Sequence, residues 1–323
     1  MNKTLILTLL AVIAIGGCVN QRPVTSDANR GVTINSFAAS PTQSFTGELV
    51  LLDLEIENVG GTTAKNVQAD LFGVESQWRD SLGNPVDSTL TRWGDIILRP
   101  PMPARSIPGD FRIAQWQIMT PNIPQGITAN EQIEARVTYD YNTSGHLAVK
   151  LVSQDEYRRE QLLGQKVTNA FEIVNSNGPL KLSIPATYQT PIIVDTSSSS
   201  QFETYPFRIQ VDNVGDGFPI TPEADARIRG AGGRLQGTID LFGPGAEFDD
   251  CLGIKSGTHI DLDNADILVR LREVGHGSVP IACNIKIDKN VWANRPDDTL
   301  QFIFNIRYRY YVSQTAIVRV VGQ

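Results

Sequence analysis

Histidine, serine and clustered carboxylate side chains are the groups in this sequence that could perform chemistry, and their spacing decides whether they do. The three histidines are His146, His259 and His276, and no two of them have the HExxH or H-x-H spacing that would place them around one metal ion. No serine lies in a G-x-S-x-G elbow, the strand–turn–helix motif that presents a nucleophile. We therefore predict that the protein is not an enzyme.

One acidic segment is a candidate metal site. The stretch "DLDNAD" places Asp261, Asp263 and Asp266 close together, and carboxylate oxygens are the ligands that Ca²⁺ prefers. The segment lacks the glycine and the distant glutamate of an EF-hand loop, and acids on a solvated turn would give the same letters. Calcium at these three residues and a plain solvated turn both stay open. We expect no other cofactor.

The N-terminus has the pattern of an export signal. The positive start "MNK" is followed by an apolar run over residues 4–15, too short for a comfortable membrane span, and small residues precede Cys18. This resembles a lipobox, in which residues 1–17 are removed as a lipoprotein signal peptide and Cys18 carries the lipid. The alternative is a plain cleaved signal peptide with an incidental cysteine. We expect an extracytoplasmic protein, anchored to the outer face of the cell membrane, with residues 18–30 as a tether.

Two further covalent modifications are predicted, a disulfide and an N-linked glycan. Cys251 and Cys283 are the cysteines left in the mature chain, and two cysteines in one exported domain most simply form a disulfide. A two-thiol metal or redox site is the alternative, but it would lack CxxC spacing and close histidines. Asn142 begins the N-glycosylation sequon Asn-Thr-Ser, which we predict to lie in a hairpin turn. Occupancy of this sequon depends on the host.

Composition limits the class of protein and of partner. The chain has 323 residues, 41% hydrophobic and 20% charged, which is ordinary for a globular protein, and the length favours two domains. The formal net charge is −7. Binding to nucleic acid requires clustered lysine and arginine to neutralise phosphates, so we expect no nucleic-acid partner.

The elements that must position these residues occur twice. The strand "LVLLDLEIE" alternates apolar and polar residues, breaks at "NVGG" and leads to a strand ending in "DLFG". The same order returns in "FRIQVD", "NVGD" and a second "DLFG", and residues 135–141 match residues 304–310. In both copies a polar turn and a last strand follow. A glycine pair can cradle a phosphate, but no helix follows here, so we predict turns in which asparagine and glycine adopt positive φ.

About seven short strands in each copy predict an all-β protein made of two tandem immunoglobulin-like β-sandwich domains. We place these domains at residues 31–153 and 179–323. Between them, the charged, proline-free stretch "QDEYRREQLLGQ" predicts a short helix within a connector over residues 154–178. Its stripe of Tyr157, Gln161 and Leu162 is expected to pack at the domain junction.

The strand–Asn-x-Gly–strand segments "LDLEIENVGGTTAKNVQADLFG" and "FRIQVDNVGDG" resemble the opening strands of CARDB-type domains. These are cell-adhesion-related, immunoglobulin-like modules of prokaryotic, notably archaeal, surface proteins. The second copy departs from the pattern by an insertion between its turn and its "DLFG" strand, and the first by a long proline-rich segment from Arg99 to Pro108. The resemblance implies an extracellular, non-catalytic adhesion or scaffold role, and it names no ligand.

Two functions follow as hypotheses. The first is a lipid-anchored binding or structural protein, such as an adhesin, an envelope scaffold or a subunit of a surface assembly. It would act through loops and strand edges on other surface proteins or on copies of itself. The alternative is a solute-capture or accessory lipoprotein that serves a transporter or secretion machine, for which a deep pocket between the domains is expected.

Overall fold

The computed structural model describes residues 25–74, 77–87, 91–164, 171–185, 187, 191–197, 199–221, 233–253, 257–264, 269–271 and 278–323. Most of these residues lie in strands, which confirms the all-β class. Residues 1–24, with the predicted signal peptide and Cys18, lie outside the described part. Within that part, no helix is both long and apolar enough to cross a membrane.

The strands of the first copy are β1 (Val32–Ser40), β2 (Gln43–Phe45), β3 (Leu49–Asn58), β4 (Ala64–Phe72), β5 (Arg92–Leu98), β6 (Phe111–Met119) and β7 (Thr128–Ser153). Those that follow are β8 (Phe171–Asn175), β9 (Leu180–Ser183), β10 (Ile192–Val194), β11 (Phe202–Asn213), β12 (Phe218–Ile220), β13 (Gly233–Arg234), β14 (Gln236–Phe242), β15 (Ala246–Cys251), β16 (His259–Asp261), β17 (Arg270–Leu271), β18 (Ser278–Asp288) and β19 (Asp297–Val321). Helices that lie wholly within the described residues include α1 (Gln154–Leu162), α2 (Lys289–Trp292) and a 3₁₀ turn at Pro103–Arg105.

Alternation of apolar and polar residues accounts for the strands at the start of each copy. In β3 the side chains of Val50, Leu52, Leu54 and Ile56 are all buried, as predicted, and the residues between them are more exposed. In β11 the buried apolar side chains are Phe207, Ile209 and Val211. A period of two places alternate side chains on opposite faces, so each strand covers the core with one face.

These strands form one long central sheet and two smaller sheets. The central sheet has the order β16-β14-β19-β7-β4-β5, and short strands add to β7 and β19. The smaller sheets have the orders β1-β3-β6 and β15-β18-β11-β9, and β13 pairs with β17. One continuous hydrophobic cluster contains buried residues from all three larger sheets. The two copies of the repeat therefore share a core.

The two longest strands join the copies. β7 and β19 pair antiparallel along their length, from Val152 opposite Asp297 to Thr128 opposite Val321, with Asp140 opposite Arg309 near the middle. The first half of β7 pairs with β4 of its own copy, and the first half of β19 pairs with β14 of its own copy. The second half of each strand continues into the other copy. Each copy thus gives its last strand to its neighbour.

This exchange corrects the prediction of hairpin turns after residues 141 and 310. Asn142 and Val312 both lie inside continuous strands rather than in turns. The physical reason is that the other copy supplies the pairing partner that a hairpin would have supplied, so the backbone groups are satisfied without a reversal of the chain. His146, which follows the predicted turn in the sequence, also lies in β7, opposite Ile303.

The predicted connector is part helix and part sheet. α1 confirms the short helix, and the hydroxyl of Ser153 caps it by accepting a hydrogen bond from the backbone N–H of Glu156 at 3.3 Å. The expected packing stripe is wrong, because no residue of α1 is buried and Leu162 is 88% exposed. Residues 171–175, within the predicted connector, form β8 and pair with β7.

Candidate functional site

The disulfide is the predicted site that the structure bears out. Cys251 in β15 and Cys283 in β18 lie directly opposite each other, with Cα atoms 4.2 Å apart, and are joined by a disulfide. Both residues are buried. The cross-link lies wholly within the second copy, and the mature first copy contains no cysteine.

The acidic segment is organised by its own hydrogen bonds. One carboxylate oxygen of Asp261 accepts the backbone N–H of Asp263 at 2.9 Å, and the other accepts the side-chain amide of Asn264 at 2.7 Å. The hydrogen bond from the backbone N–H of Asp263 is the largest of the causes that lower the pKa of Asp261. Asp263 forms a 2.6 Å ion pair with Arg307. Asp266 lies outside the described residues, and among those described no group of three ligating side chains could hold a metal ion.

Asn142 is placed very differently from the surface turn that we expected. Its side-chain amide donates to the amide oxygen of Asn305 on the neighbouring strand at 2.9 Å. The hydroxyl of Thr143, the next residue of the sequon, is buried, donates to the carbonyl oxygen of Leu180 at 3.1 Å and lies 2.8 Å from the hydroxyl of Tyr308. The sequon therefore lies inside the central sheet, and glycosylation stays a prediction.

The histidines are dispersed. His259 is exposed, and its Nδ1 lies 2.6 Å from a carboxylate oxygen of Asp240 on the adjacent strand. His146 lies in β7, and His276 is outside the described residues. The described histidines are thus not brought together, in agreement with their spacing in sequence.

The centre of the molecule is organised by the repeated Asn-x-Gly turns. The buried amide of Asn58 donates to the carbonyl oxygens of Thr62 and Leu98 at 2.9 and 2.8 Å, and its oxygen accepts the N–H of Gly60 at 3.1 Å. Asn213 repeats this pattern: it donates to the carbonyl of Gly217 at 2.9 Å and accepts the N–H of Gly215 at 3.3 Å. Each asparagine side chain thus holds its turn closed.

A tyrosine from each long strand completes the turn, and we call the two Asn–Tyr arrangements the latches. The hydroxyl of Tyr141 accepts the N–H of Thr62 at 3.1 Å. The hydroxyl of Tyr310 accepts the N–H of Gly217 at 3.1 Å and donates to Asn213 at 2.8 Å. The latches tie the end of an inner strand of each small sheet, β3 or β11, to the exchanged strands. The repeated Asn-x-Gly and Tyr-x-Tyr motifs were visible in the sequence, but their contact was not predicted.

The glycines of these turns serve a purpose other than the one predicted. Neither Gly60 nor Gly215 has positive φ. A side chain at Gly60 would instead collide with the Tyr141 hydroxyl, and one at Gly215 would lie 2.7 Å from the Tyr310 hydroxyl. Close approach of the latch tyrosine, together with the carbonyl of Arg30 at Gly60 and the side chain of Pro179 at Gly215, explains why glycine occurs at both positions.

Four tyrosines pack together between the two latches. Tyr139, Tyr141, Tyr308 and Tyr310 have neighbouring ring centroids 5.8–6.2 Å apart. Burial raises the pKa of all four phenols, because the phenolate form would lose its hydration. The centre is therefore a tightly packed aromatic cluster that stays neutral at ordinary pH.

The segment that precedes β1 is seated across both copies. The N–H of Asp27 donates to the carbonyl of Val59 at 2.7 Å, and the carbonyl of Ala28 accepts the N–H of Gly178 at 3.0 Å. Arg30 forms a 2.7 Å ion pair with Asp216, which follows the second Asn-x-Gly turn. Residues 25–30, which we predicted to be tether, are thus bound at the centre. Only residues 19–24 separate them from Cys18.

An apolar arm (residues 99–110) lies close to this segment. The N–H of Asp110 donates to the carbonyl of Arg99 at 3.0 Å, and that of Met102 donates to Ile107 at 2.8 Å, so the arm is a narrow hairpin. Met102 is 42% and Ile107 46% exposed. The carbonyl of Asp110 accepts the N–H of Asn58 at 3.1 Å, one residue from the contact between Val59 and Asp27.

A polar cleft also opens at the centre. It has a volume of about 530 Å³ and is lined by Lys65 and Asp140 from the first copy and by Gln236 and Arg307 from the second. Its size falls within the range of small-molecule sites. The lining can offer cationic donors and a carboxylate to a polar solute.

Comparison with known proteins yields no relative. No known family matches the sequence, and no characterised protein matches it. Among solved structures, an alkylpurine DNA glycosylase of Pseudomonas fluorescens bound to DNA is 13% identical with a TM-score of 0.21, covering 34% of this chain and 28% of that one. A red sea bream transglutaminase is 10% identical, with a TM-score of 0.18 over 89% of this chain and 31% of that one. A Salmonella alpha-2-macroglobulin is 8% identical, with a TM-score of 0.18 over 92% and 17%.

The chain spans less than a third of each of these three structures. Likenesses at these TM-scores carry no argument about function.

Proposed function

We propose that this protein is a lipid-anchored, extracytoplasmic binding or structural protein without enzymatic activity, of the kind that the resemblance to CARDB-type surface domains implies. The observation that supports this is the seating of residues 25–30 across the centre of a shared-core body. With Cys18 lipidated, the six residues 19–24 would hold that body within about 25 Å of the membrane surface. A body held in this way is suited to scaffolding or adhesion.

Strand edges are the proposed means of recognition. β6 pairs with β3 on one side, and on its other side the described residues offer only Arg79, which contacts the end of the strand at Met119. A partner strand could hydrogen-bond to the rest of this edge, because edge strands carry unpaired N–H and C=O groups. The partners would be other surface proteins or a second copy of this chain.

The anchor is tested in cells. Replacement Cys18→Ser should move the protein from the membrane fraction to the soluble fraction, while Cys251→Ser, which removes a different cysteine, should leave it at the membrane. Continued membrane attachment of the Cys18→Ser protein would contradict lipid anchoring.

The binding role is tested by cross-linking on intact cells with Cys18 retained. We expect a cross-linked species larger than the monomer, which is weakened by Gln117→Lys on the exposed face of β6, since lysine on an edge strand disfavours pairing. Gln301→Lys, exposed on a strand that has neighbours on both sides, is the matched control. Recovery of monomer alone would contradict an assembly role.

The central cleft supports a second candidate, capture of a polar solute for a transporter or secretion machine. Native mass spectrometry of protein purified from its host should then show a bound small molecule, lost in the double variant Lys65→Ala/Arg307→Ala. A protein of unmodified mass in the wild type, beside a cross-linked partner, would favour the scaffold role over this candidate.

A further inference from the structure

We propose that the apolar arm (residues 99–110) docks on the surface of an anionic lipid bilayer. The inference deepens the proposed lipid anchoring and rests on it for its biological setting. It adds a second, protein-encoded contact with the membrane beside the lipid.

The base of the arm lies close to the segment that leads to Cys18. Asn58 and Val59 are consecutive residues, and one is hydrogen-bonded to Asp110 at the base of the arm while the other is bonded to Asp27 of the N-terminal segment. The base of the arm and the segment that leads to Cys18 are therefore both attached at the end of β3. A chain of six residues between Cys18 and Thr25 cannot hold the arm far from the bilayer.

Several large apolar side chains on and next to the arm are exposed. Met102 and Ile107 on the arm, and Phe111 and Ile113 on the outer face of β6, are between 42% and 56% exposed. The inward-facing residues that follow in β6, Ala114 and Trp116, are buried as in any sandwich strand. The outward apolar residues thus serve no purpose in the core, and they would lose contact with water in the acyl boundary of a bilayer.

The segment that contains the arm is positively charged. Residues 99–113 contain three arginines and one aspartate, whereas the whole chain has a net charge of −7. Arg99, Arg105 and Arg112 are all exposed. On the arm, Met102 and Ile107 are flanked by arginine, which matches an interface of acyl chains below anionic headgroups. Phe111 and Ile113 instead lie opposite Glu57 and Glu55 of β3, so the cationic contact is confined to the arm.

Leu82 provides a matched comparison within the same domain. It is 85% exposed in a loop next to Arg79, which pairs with Met119 at the other end of β6. The eight residue steps of β6 between Phe111 and Met119 separate the two apolar sites by about 27 Å. A substitution at Leu82 therefore removes one exposed apolar side chain without touching the arm.

The experiment measures binding to vesicles without the lipid anchor. The chain from Val19 onward, which keeps every described residue, is mixed with vesicles of equal parts phosphatidylglycerol and phosphatidylcholine, or of phosphatidylcholine alone, and separated by flotation. We expect binding to the anionic vesicles that falls as salt is added. The pair Met102→Asp/Ile107→Asp should weaken it at least about tenfold, and Arg105→Gln about fivefold. Leu82→Asp should leave it unchanged, and thermal unfolding should show that all variants are folded.

Failure of wild-type binding to anionic vesicles, or equal binding by Met102→Asp/Ile107→Asp, would overturn the proposal. So would a result in which the pair variant abolishes self-association in analytical ultracentrifugation and leaves vesicle binding intact, because the arm would then be a contact between copies. None of these outcomes bears on Cys18, whose role is read from the cell fractionation of Cys18→Ser. The two proposals can therefore fail separately.

Discussion

The two latches are built from the same sequence motif but are fastened differently. In the first copy, Asn58 reaches the carbonyl of Leu98 on β5, and Tyr141 makes a single hydrogen bond to the backbone of the turn. In the second copy, Tyr310 makes two hydrogen bonds, one of them to Asn213 itself. The second copy also carries the disulfide. The comparison indicates that a second tyrosine hydrogen bond and a disulfide stabilise the second copy. In the first copy, the asparagine is hydrogen-bonded to the backbone of the adjacent strand β5 instead.

The largest predicted difference between the copies concerns the disulfide. Cys251 and Cys283 are 32 residues apart. Closing a loop of this size lowers the entropy of the unfolded chain, which raises the free energy of unfolding by about 3–4 kcal/mol. Reduction should lower the free energy of unfolding by that amount in denaturant titrations. The variant Cys251→Ala/Cys283→Ala should be insensitive to reductant, and an unchanged wild type under reducing conditions would show that the cross-link adds nothing to the second copy.

The tyrosines of the latches should differ in a second, smaller way. Tyr310→Phe removes two buried hydrogen bonds and Tyr141→Phe removes one, so we expect losses of about 2 and about 1 kcal/mol in the free energy of unfolding. Urea titration of both variants measures the ratio. Equal losses would mean that the bond between Tyr310 and Asn213 contributes nothing, and the two latches would then be equivalent.

Both copies share a dependence of the free energy of unfolding on alkaline pH, which has no effect near neutral pH. Burial raises the pKa of the four central tyrosines in the folded state. Below the ordinary tyrosine pKa of about 10 both states keep their protons and the stability is fully present; above it the unfolded chain loses protons first, so stability falls as pH rises. Tyr139→Phe should reduce the slope above pH 10 by about 1.4 kcal/mol per pH unit. A slope that does not change would place this phenol in solvent.

Part of this architecture could be predicted from the sequence. The strands were predicted because burial of one face imposes a period of two, as in Leu52, Leu54 and Ile56, and the duplication because both copies keep the same motifs. The exchange of strands could not be predicted. Thr143 and Ser144 suit a turn and a strand equally, and the partner that decides between them, Tyr308 with its neighbours, is remote in sequence.

The candidate sites, too, could be predicted from the sequence only in part. The absence of catalytic spacing among the histidines was evident in sequence, and the disulfide followed from counting cysteines. The apolar arm was not predicted, because Met102 and Ile107 lie among prolines and only their exposure in the folded chain distinguishes them from core residues. Its closeness to the N-terminal segment depends on Asn58 and Val59, which no local pattern reveals.

Calorimetry tests most directly the central claim that the two copies form one body through exchanged strands. The oxidised protein, from Val19 onward, should unfold in a single transition whose calorimetric and van't Hoff enthalpies agree. Reduction of the bond between Cys251 and Cys283 should shift that whole transition to lower temperature, although the bond lies in the second copy alone. Two transitions, of which reduction moves only one, would contradict the claim and restore a pair of independent sandwiches.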